Sequence, residues 1–251
     1  PIARSQGLFV IDNSSAWRED SDIPLIVPEV NLEDYTLNRL IANPNCSTIQ
    51  AVLPLKALQE AFGIQRVNYS TYQAVSGSGQ KGIEDLHRTQ NDEKPVLYPY
   101  NISQTVIPEI DQPLENGYTK EEQKMINETR KILHQPALPV SATCVRVPIE
   151  NGHGVSVAVQ LQKEFTTEEI RECLSQFPGI QLEDDLAAHK YPTSILARGT
   201  DMVYVGRIRK DTSLENGLLF YTTADNIRKG AAANAVQIAA ALMQKIAEVA
   251  R

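Results

Sequence analysis

The chain has little cysteine, no excess of positive charge and no long apolar run, and each shortage closes off a class of protein. Its three cysteines, Cys46, Cys144 and Cys173, are odd in number and lack metal-ligand spacing. That argues against a disulfide framework and a zinc site, and favours a reducing, cytoplasmic setting. Lys and Arg number 24 against 31 Asp and Glu, a formal net charge of -7. Nucleic acid and anionic membrane surfaces need clustered basic residues, so neither is expected as a partner. No stretch approaches the ~18 consecutive apolar residues that cross a bilayer. The opening Pro1-Ile2-Ala3-Arg4 shows no signal-peptide pattern, and no repeat or low-complexity segment follows. What is there is an ordinary globular balance: 251 residues, 42% hydrophobic and 22% charged. That is enough for one large domain or two ordinary ones.

Gly7-Leu8-Phe9-Val10-Ile11-Asp12 reads as a short apolar strand of the kind found in covered parallel sheets. Residues 13–18 follow at its carboxyl end, where ligands gather in open α/β sheets. Two more short strands are expected at 24–27 and 40–42. Three such strands make a poor sheet alone, so the chain is expected to begin inside a fold whose first part it lacks. From Cys46, apolar residues at three- and four-residue spacings predict a helix to Gly63, kinked at Pro54. Val67, Tyr69 and Thr71 alternate as a strand ending near Gln73. Residues 76–82 read as a flexible turn before a helix near 83–86, and 89–117 as a polar surface excursion.

Thr119 and Glu122 form a capping box that opens a helix to about His134. Residues 143–149 and 155–161 flank Asn151-Gly152, a hairpin signature, so these two strands are expected to pair antiparallel. A further capped helix ends at Pro178-Gly179, strands follow at 202–208 and 218–221, and an alanine-rich helix runs from about Asn226 to Val249. The order is a remnant of parallel α/β, a mostly antiparallel sheet with helices, and a closing helix.

Cys46 falls at a strand-to-helix junction. Unpaired amides and the helix dipole there stabilise a thiolate, and the same amides suit an oxyanion. His153 lies on a glycine-flanked turn with Arg146 seven residues earlier, a planar cation fitted to a carboxylate. His87, His134 and His189 lack such company, and Cys144 and Cys173 read as small apolar residues. Glu121 and Lys124, three apart, read on their own as a weak exposed ion pair. Gly77 to Gly82 spells G-x-G-x-x-G but lacks the acidic residue about 20 positions on, so it is weak support for a dinucleotide site.

Several segments together resemble the bacterial type of aspartate-semialdehyde dehydrogenase. They are residues 9–18 (FVIDNSSAWR), 27–31 (VPEVN), 41–50 (IANPNCSTIQ), 70–77 (STYQAVSG), Arg146-Val147-Pro148 with Gly152-His153, and 225–232 (DNIRKGAA). The resemblance implies a Rossmann nucleotide-binding domain and a catalytic and dimerisation domain, the glyceraldehyde-3-phosphate-dehydrogenase-like arrangement. The boundaries expected are 1–45 for the Rossmann remnant, 46–226 for the catalytic domain, and 227–251 for a helix returning to the first. The implied reaction is reduction of L-aspartyl-4-phosphate by NADPH to L-aspartate-4-semialdehyde, toward lysine or diaminopimelate, threonine, methionine and isoleucine.

The resemblance also implies residue roles. Cys46 is the nucleophile that forms a thioacyl enzyme, His153 the acid/base group, and Gln73 the residue orienting the intermediate. Arg146 clamps the substrate carboxylate and Glu121 meets its amino group. Arg18 and Lys124 contact phosphate, while Asn45, Ser76, Gly77 and Asn226 line the cofactor. A homodimer is implied, or a tetramer, with no metal. The family's glycine-rich phosphate turn has no counterpart here, so the chain is expected to lack the pyrophosphate cradle. Two other readings stand beside this one: an N-acetyl-gamma-glutamyl-phosphate reductase, and a non-catalytic fragment or paralogue acting in subunit association.

Overall fold

The computed structural model describes residues 8–35 and 39–249; Gly7 of the first expected strand lies outside them. Strand β1 (Val10–Asp12) pairs in parallel with β2 (Leu40–Ala42), and the short helix α1 (Pro28–Asn31) lies between them in sequence. The strand expected at 24–27 is reduced to one bridge, Leu25 to Ala42. Pro24 has no N–H to give a ladder, and Pro28 already opens a helical turn.

Helix α2 (Cys46–Phe62) runs unbroken, so the kink expected to interrupt it at Pro54 does not end it. Pro54 is buried inside the helix and forfeits one backbone hydrogen bond. Gly63, at φ 70, stops the helix and reverses the chain into β3 (Ile64–Gln73). Helix and strand therefore run back along each other, bringing Gln73 to the end where Cys46 begins. This reversal builds the site.

The larger sheet adds β4 (Val140–Arg146), β5 (His153–Leu161), β6 (Ile180–Leu182), β7 (Val203–Asp211) and β8 (Gly217–Ala224). Its order is β4-β3-β5-β8-β7-β6. Pairs β3–β5, β5–β8 and β7–β8 are antiparallel, while β3–β4 and β6–β7 are parallel. The hairpin expected between β4 and β5 is therefore wrong. The longest strand, β3, lies between them and pairs with both, and residues 147–152 cross its end. Asn151-Gly152 does turn the chain, with Gly152 at φ 94, but its amide donates to Asn226 Oδ1 rather than to a ladder.

The remaining helices are α3 (Gln80–Gln90), α4 (Lys120–Ile132), α5 (Thr167–Gln176), α6 (Ser194–Ala197) and α7 (Ala233–Val249). Thr119 and Thr166 close capping boxes at the starts of α4 and α5. Helices α2, α4 and α5 pack on the sheet, burying Val67, Tyr69, Val155, Val157, Val159, Leu218 and Phe220. Each such aliphatic or aromatic side chain contributes about 1.5–3 kcal/mol by leaving water. The alternate residues Asn68, Ser70, Tyr72, Ser156, Ala158 and Tyr221 stay partly or fully exposed on the opposite face.

Residues 89–117 are tied down more firmly than a surface excursion. Ile102 and Ile107 join Val75 and Leu86 in a small core, and the Asp85 carboxylate accepts the amides of Val96, Leu97 and Tyr98. Regular helix begins at Ala233 rather than near Asn226, because residues Arg228–Ala232 form a π-turn. Ile238 and Leu242 of α7 then pack on Ile26, Tyr35 and Ile41, against the β1–β2 pair.

Candidate active site

Gln73 and Arg146 end adjacent parallel strands in direct register, and His153 begins the strand on the other side of β3. All three share the parity of the buried sheet residues, so they face the helices at the end where α2 starts. Cys46 is the first residue of α2, and Asn45 caps it by accepting the amides of Ser47 and Thr48 at 2.9 and 3.3 Å. Together with Glu121 and Lys124 of α4 and Arg18 after β1, these elements enclose a cavity of about 510 Å³. Of the residues singled out in the sequence, Cys46, Asn45, Gln73, Arg146, Glu121, Arg18, Lys124, Ser76, Gly77 and Asn226 all line it.

His153 is wholly buried at the start of β5 rather than displayed on a turn. Its ring lies just behind Gly77: a Cβ there would stand 3.3 Å from His153 Nε2 and 2.8 Å from Arg146 Nη1. Burial and the nearby Arg146 charge hold its pKa well below the ordinary value, so the ring is neutral. The Ala74 amide donates to Nδ1 at 3.0 Å, so the proton of the neutral ring sits on Nε2. Nε2 is buried and has no partner among the described residues. It is a ready donor, unpaired.

Glu121 is no exposed ion-pair member. It is 6% exposed, and its Oε1 accepts from Asn45 Nδ2 at 2.9 Å and from Gln73 Nε2 at 3.0 Å. Lys124 reaches Glu121 Oε2 at 3.4 Å and Asp111 at 2.7 Å. Arg146 donates through Nη1 to the Ala74 carbonyl at 2.7 Å. Asn226 donates to Ser76 Oγ at 3.0 Å and accepts the Gly152 amide, bracing the turn ahead of His153.

The thiol departs from expectation. Burial pushes the Cys46 pKa up to about 12, the Glu121 carboxylate adds to the rise, and Arg146, Arg18 and the Ser47 amide offset only part. Burial first, and the Glu121 charge second, oppose the pull of the helix N-terminus on this thiol.

Reading the sequence missed three residues here. Glu128, on α4, accepts from Arg18 Nη1 at 3.1 Å and from the Asn45 amide at 2.7 Å. Its signal was legible in principle, since 121, 124 and 128 share one helical face. Asp225 holds the amides of Ile227 and Arg228, and Gly230 presses its backbone on Cys46, where a Cβ would come within 2.9 Å of Cys46 Cβ. Both lie in the 225–232 segment that carries the family resemblance, but nothing local in it marks these two contacts. The G-x-G-x-x-G segment, residues 77–82, spans the end of a 3-10 turn (Val75–Ser78) and the first turn of α3. Gly77 at its start, with Ser76 just before it, reaches the cavity.

Among the described residues no helix is long and apolar enough to cross a membrane, and no cluster has the makings of a metal site. Ser76, Gly77, Asn226 and Gly230 form one wall of the cavity, and a Cβ at Gly77 would strike the side chains of Arg146 and His153.

Comparison with known proteins identifies the family. Residues 55–229 match the family described as "Semialdehyde dehydrogenase, dimerisation domain", and residues 1–37 match "Semialdehyde dehydrogenase, NAD binding domain". These matches define the class: a nucleotide-dependent oxidoreductase of the semialdehyde dehydrogenase kind. Aspartate-semialdehyde dehydrogenase of Aquifex aeolicus (strain VF5) is 51% identical over 98% of this chain and 75% of its own length. The crystal structure of aspartate semialdehyde dehydrogenase II from Vibrio cholerae complexed with ASA superposes with a TM-score of 0.92 at 44% identity, covering 97% of this chain and 75% of that one. The Candida albicans enzyme, solved with NADP, gives a TM-score of 0.74 at 26% identity over 94% of this chain and 71% of that one. The chain belongs to the aspartate-semialdehyde dehydrogenase family, oxidoreductases of amino-acid biosynthesis that act through a cysteine intermediate. It spans about three quarters of the length of these relatives.

Proposed function

We propose that this chain carries the catalytic machinery for NADPH-dependent conversion of L-aspartyl-4-phosphate to L-aspartate-4-semialdehyde. The step feeds lysine or diaminopimelate, threonine, methionine and isoleucine synthesis. The observation that carries the reading is the meeting of Cys46, Gln73, Arg146 and Glu121, from four different elements, around one cavity. A nucleophile, a carboxylate clamp and an ammonium acceptor are what the aspartyl group requires.

Arg146 binds the α-carboxylate and Glu121 the α-ammonium, placing the acyl carbon over Cys46. Neutralising Glu121 in this way removes one of the charges that hold the thiol protonated. Cys46 Sγ then attacks the carbonyl carbon as the thiol proton passes to the departing phosphate oxygen, the carbon–oxygen bond to phosphate breaks, and inorganic phosphate departs toward Arg18 and Lys124. Splitting the reaction at a thioester divides one hard displacement into two easier steps. Ser76, Gly77 and Asn226, beside Asn45, would hold the nicotinamide end of NADPH, which would supply the hydride. His153 donates from Nε2 to the oxygen of the resulting tetrahedral adduct and takes that proton back as the adduct collapses, the carbon–sulfur bond breaks and aldehyde is released. Gln73, anchored by Glu121 and Thr71, keeps the acyl group oriented.

The open face of the large sheet supports a homodimer. Tyr72 and Tyr221 pair across it at 6.1 Å between ring centroids, and Tyr72 is 42% exposed, an amphipathic surface suited to a second subunit. The test of the reading is phosphate-dependent reduction of NADP by L-aspartate-4-semialdehyde. Activity is expected where these residues are joined to the family's glycine-rich phosphate turn, and Cys46→Ala is expected to abolish it with the fold retained. Turnover by Cys46→Ala near the wild-type rate would overturn the thioester route.

A further inference from the structure

One turn beyond Lys124, on the same face of α4, stands a carboxylate that the chemistry above does not use. The Glu128 side chain is 2% exposed, and each of its oxygens is held by a different wall of the cavity. Oε1 accepts from Arg18 Nη1 at 3.1 Å, and Oε2 accepts the backbone amide of Asn45 at 2.7 Å. Arg18 is fixed at its other nitrogen by the Asn13 carbonyl at 2.9 Å, while its Nε is buried without a partner among the described residues. Asn45 is the cap of α2 and immediately precedes Cys46. A carboxylate removed from water in this way is costly unless well paired, and packing alone would be served by an apolar side chain. Glu128 spends its two acceptors on joining an arginine to the start of the nucleophile's helix.

We infer that Glu128 is a positioning residue that aims Arg18 into the cavity and fixes it relative to Cys46, so that bound phosphate and thiol keep a set separation. This rests on Arg18 being a phosphate contact, as proposed above. Replacing the carboxylate by an amide turns an NH2 toward either Arg18 or the Asn45 amide, donor against donor. Arg18 then swings off its aim, while Arg146, which Glu128 does not touch, keeps its hold on the carboxylate.

The test needs no nucleotide. Iodoacetamide alkylation of Cys46 is followed by peptide mass spectrometry, with Cys144 and Cys173 as internal controls, against rising inorganic phosphate and, separately, L-aspartate. In the unsubstituted protein both ligands are expected to slow alkylation of Cys46. Glu128→Gln is expected to raise the half-protecting phosphate concentration at least tenfold and to leave protection by L-aspartate within twofold. Glu128→Asp, which keeps the charge on a shorter arm, is expected to fall between the two and serves if the glutamine variant does not fold. Wild-type phosphate protection in these variants, beside its loss in Arg18→Ala, would overturn the role of Glu128 alone. Equal loss of phosphate and L-aspartate protection would also overturn it, because that marks a general structural role. Retention of phosphate protection in Arg18→Ala would instead remove the phosphate assignment of Arg18, and this inference with it.

Discussion

Two opposing effects meet at Cys46. A helix N-terminus favours an anion by about 0.3–1 kcal/mol at a surface. The rise of the thiol pKa from 9.0 to about 12 corresponds to about 4 kcal/mol in the other direction. Burial of the thiol, with the Glu121 charge beside it, pushes its pKa up against the dipole. Because the pKa is raised, the thiolate fraction grows with pH throughout the neutral and mildly alkaline range. Alkylation of Cys46 in the free protein is expected to accelerate about tenfold per pH unit from pH 7 to 10. A plateau near pH 8 would show a thiol activated by its helix alone. At Arg146 the distinguishing feature is shape: Arg146→Lys keeps the charge and loses the planar fork. Its Michaelis constant for the semialdehyde is expected to rise roughly 10-fold or more, the equivalent of one charge-assisted hydrogen bond. An unchanged constant would remove the carboxylate-clamp role. These residues were legible because reactive chemistry needs particular side chains. The upward push on the thiol was not, because it depends first on burial and then on Glu121, 75 positions away in the chain.

At the scale of elements, local signals served where the structure is local. The capping box stands where Thr119 announces it, the later helix is capped as expected, and Gly63 ends α2. The signal failed at Asn151-Gly152, where a turn was visible but its partners were not. Strand β3 intervenes between β4 and β5, and nothing between residues 143 and 161 encodes that insertion. The π-turn at Arg228–Ala232 is another non-local feature. It carries Gly230 onto Cys46, and only a residue without Cβ fits. Gly230→Ala is expected to lower turnover at least tenfold by displacing Cys46, with a loss of melting temperature of only a few degrees. Wild-type turnover in that variant would show that the contact does not hold the nucleophile in place.

Across the whole molecule, one face of the six-stranded sheet is sealed by α2, α4 and α5 while the other carries partly exposed small and aromatic residues. The alternation was legible strand by strand, but which strands lie side by side, and hence the breadth of the open face, was not. If that face joins two subunits, Ser156→Arg on its central strand β5 is expected to shift sedimentation from dimer to monomer without changing the circular dichroism of the folded chain. A dimer that persists would place the interface elsewhere. The same sheet sets the reactive end of the molecule, where Gln73, Arg146 and His153 gather beneath Cys46. The most direct measurement is therefore acylation of that cysteine without any nucleotide. The protein is mixed with L-aspartyl-4-phosphate, acid-quenched, and examined for phosphate released and for a hydroxylamine-labile adduct on the Cys46 peptide. One equivalent of phosphate with one adduct at Cys46, and neither in Cys46→Ala, is the expected result. A phosphate burst that survives Cys46→Ala, or an adduct on Cys144 or Cys173 instead, would contradict the thioester mechanism at this site.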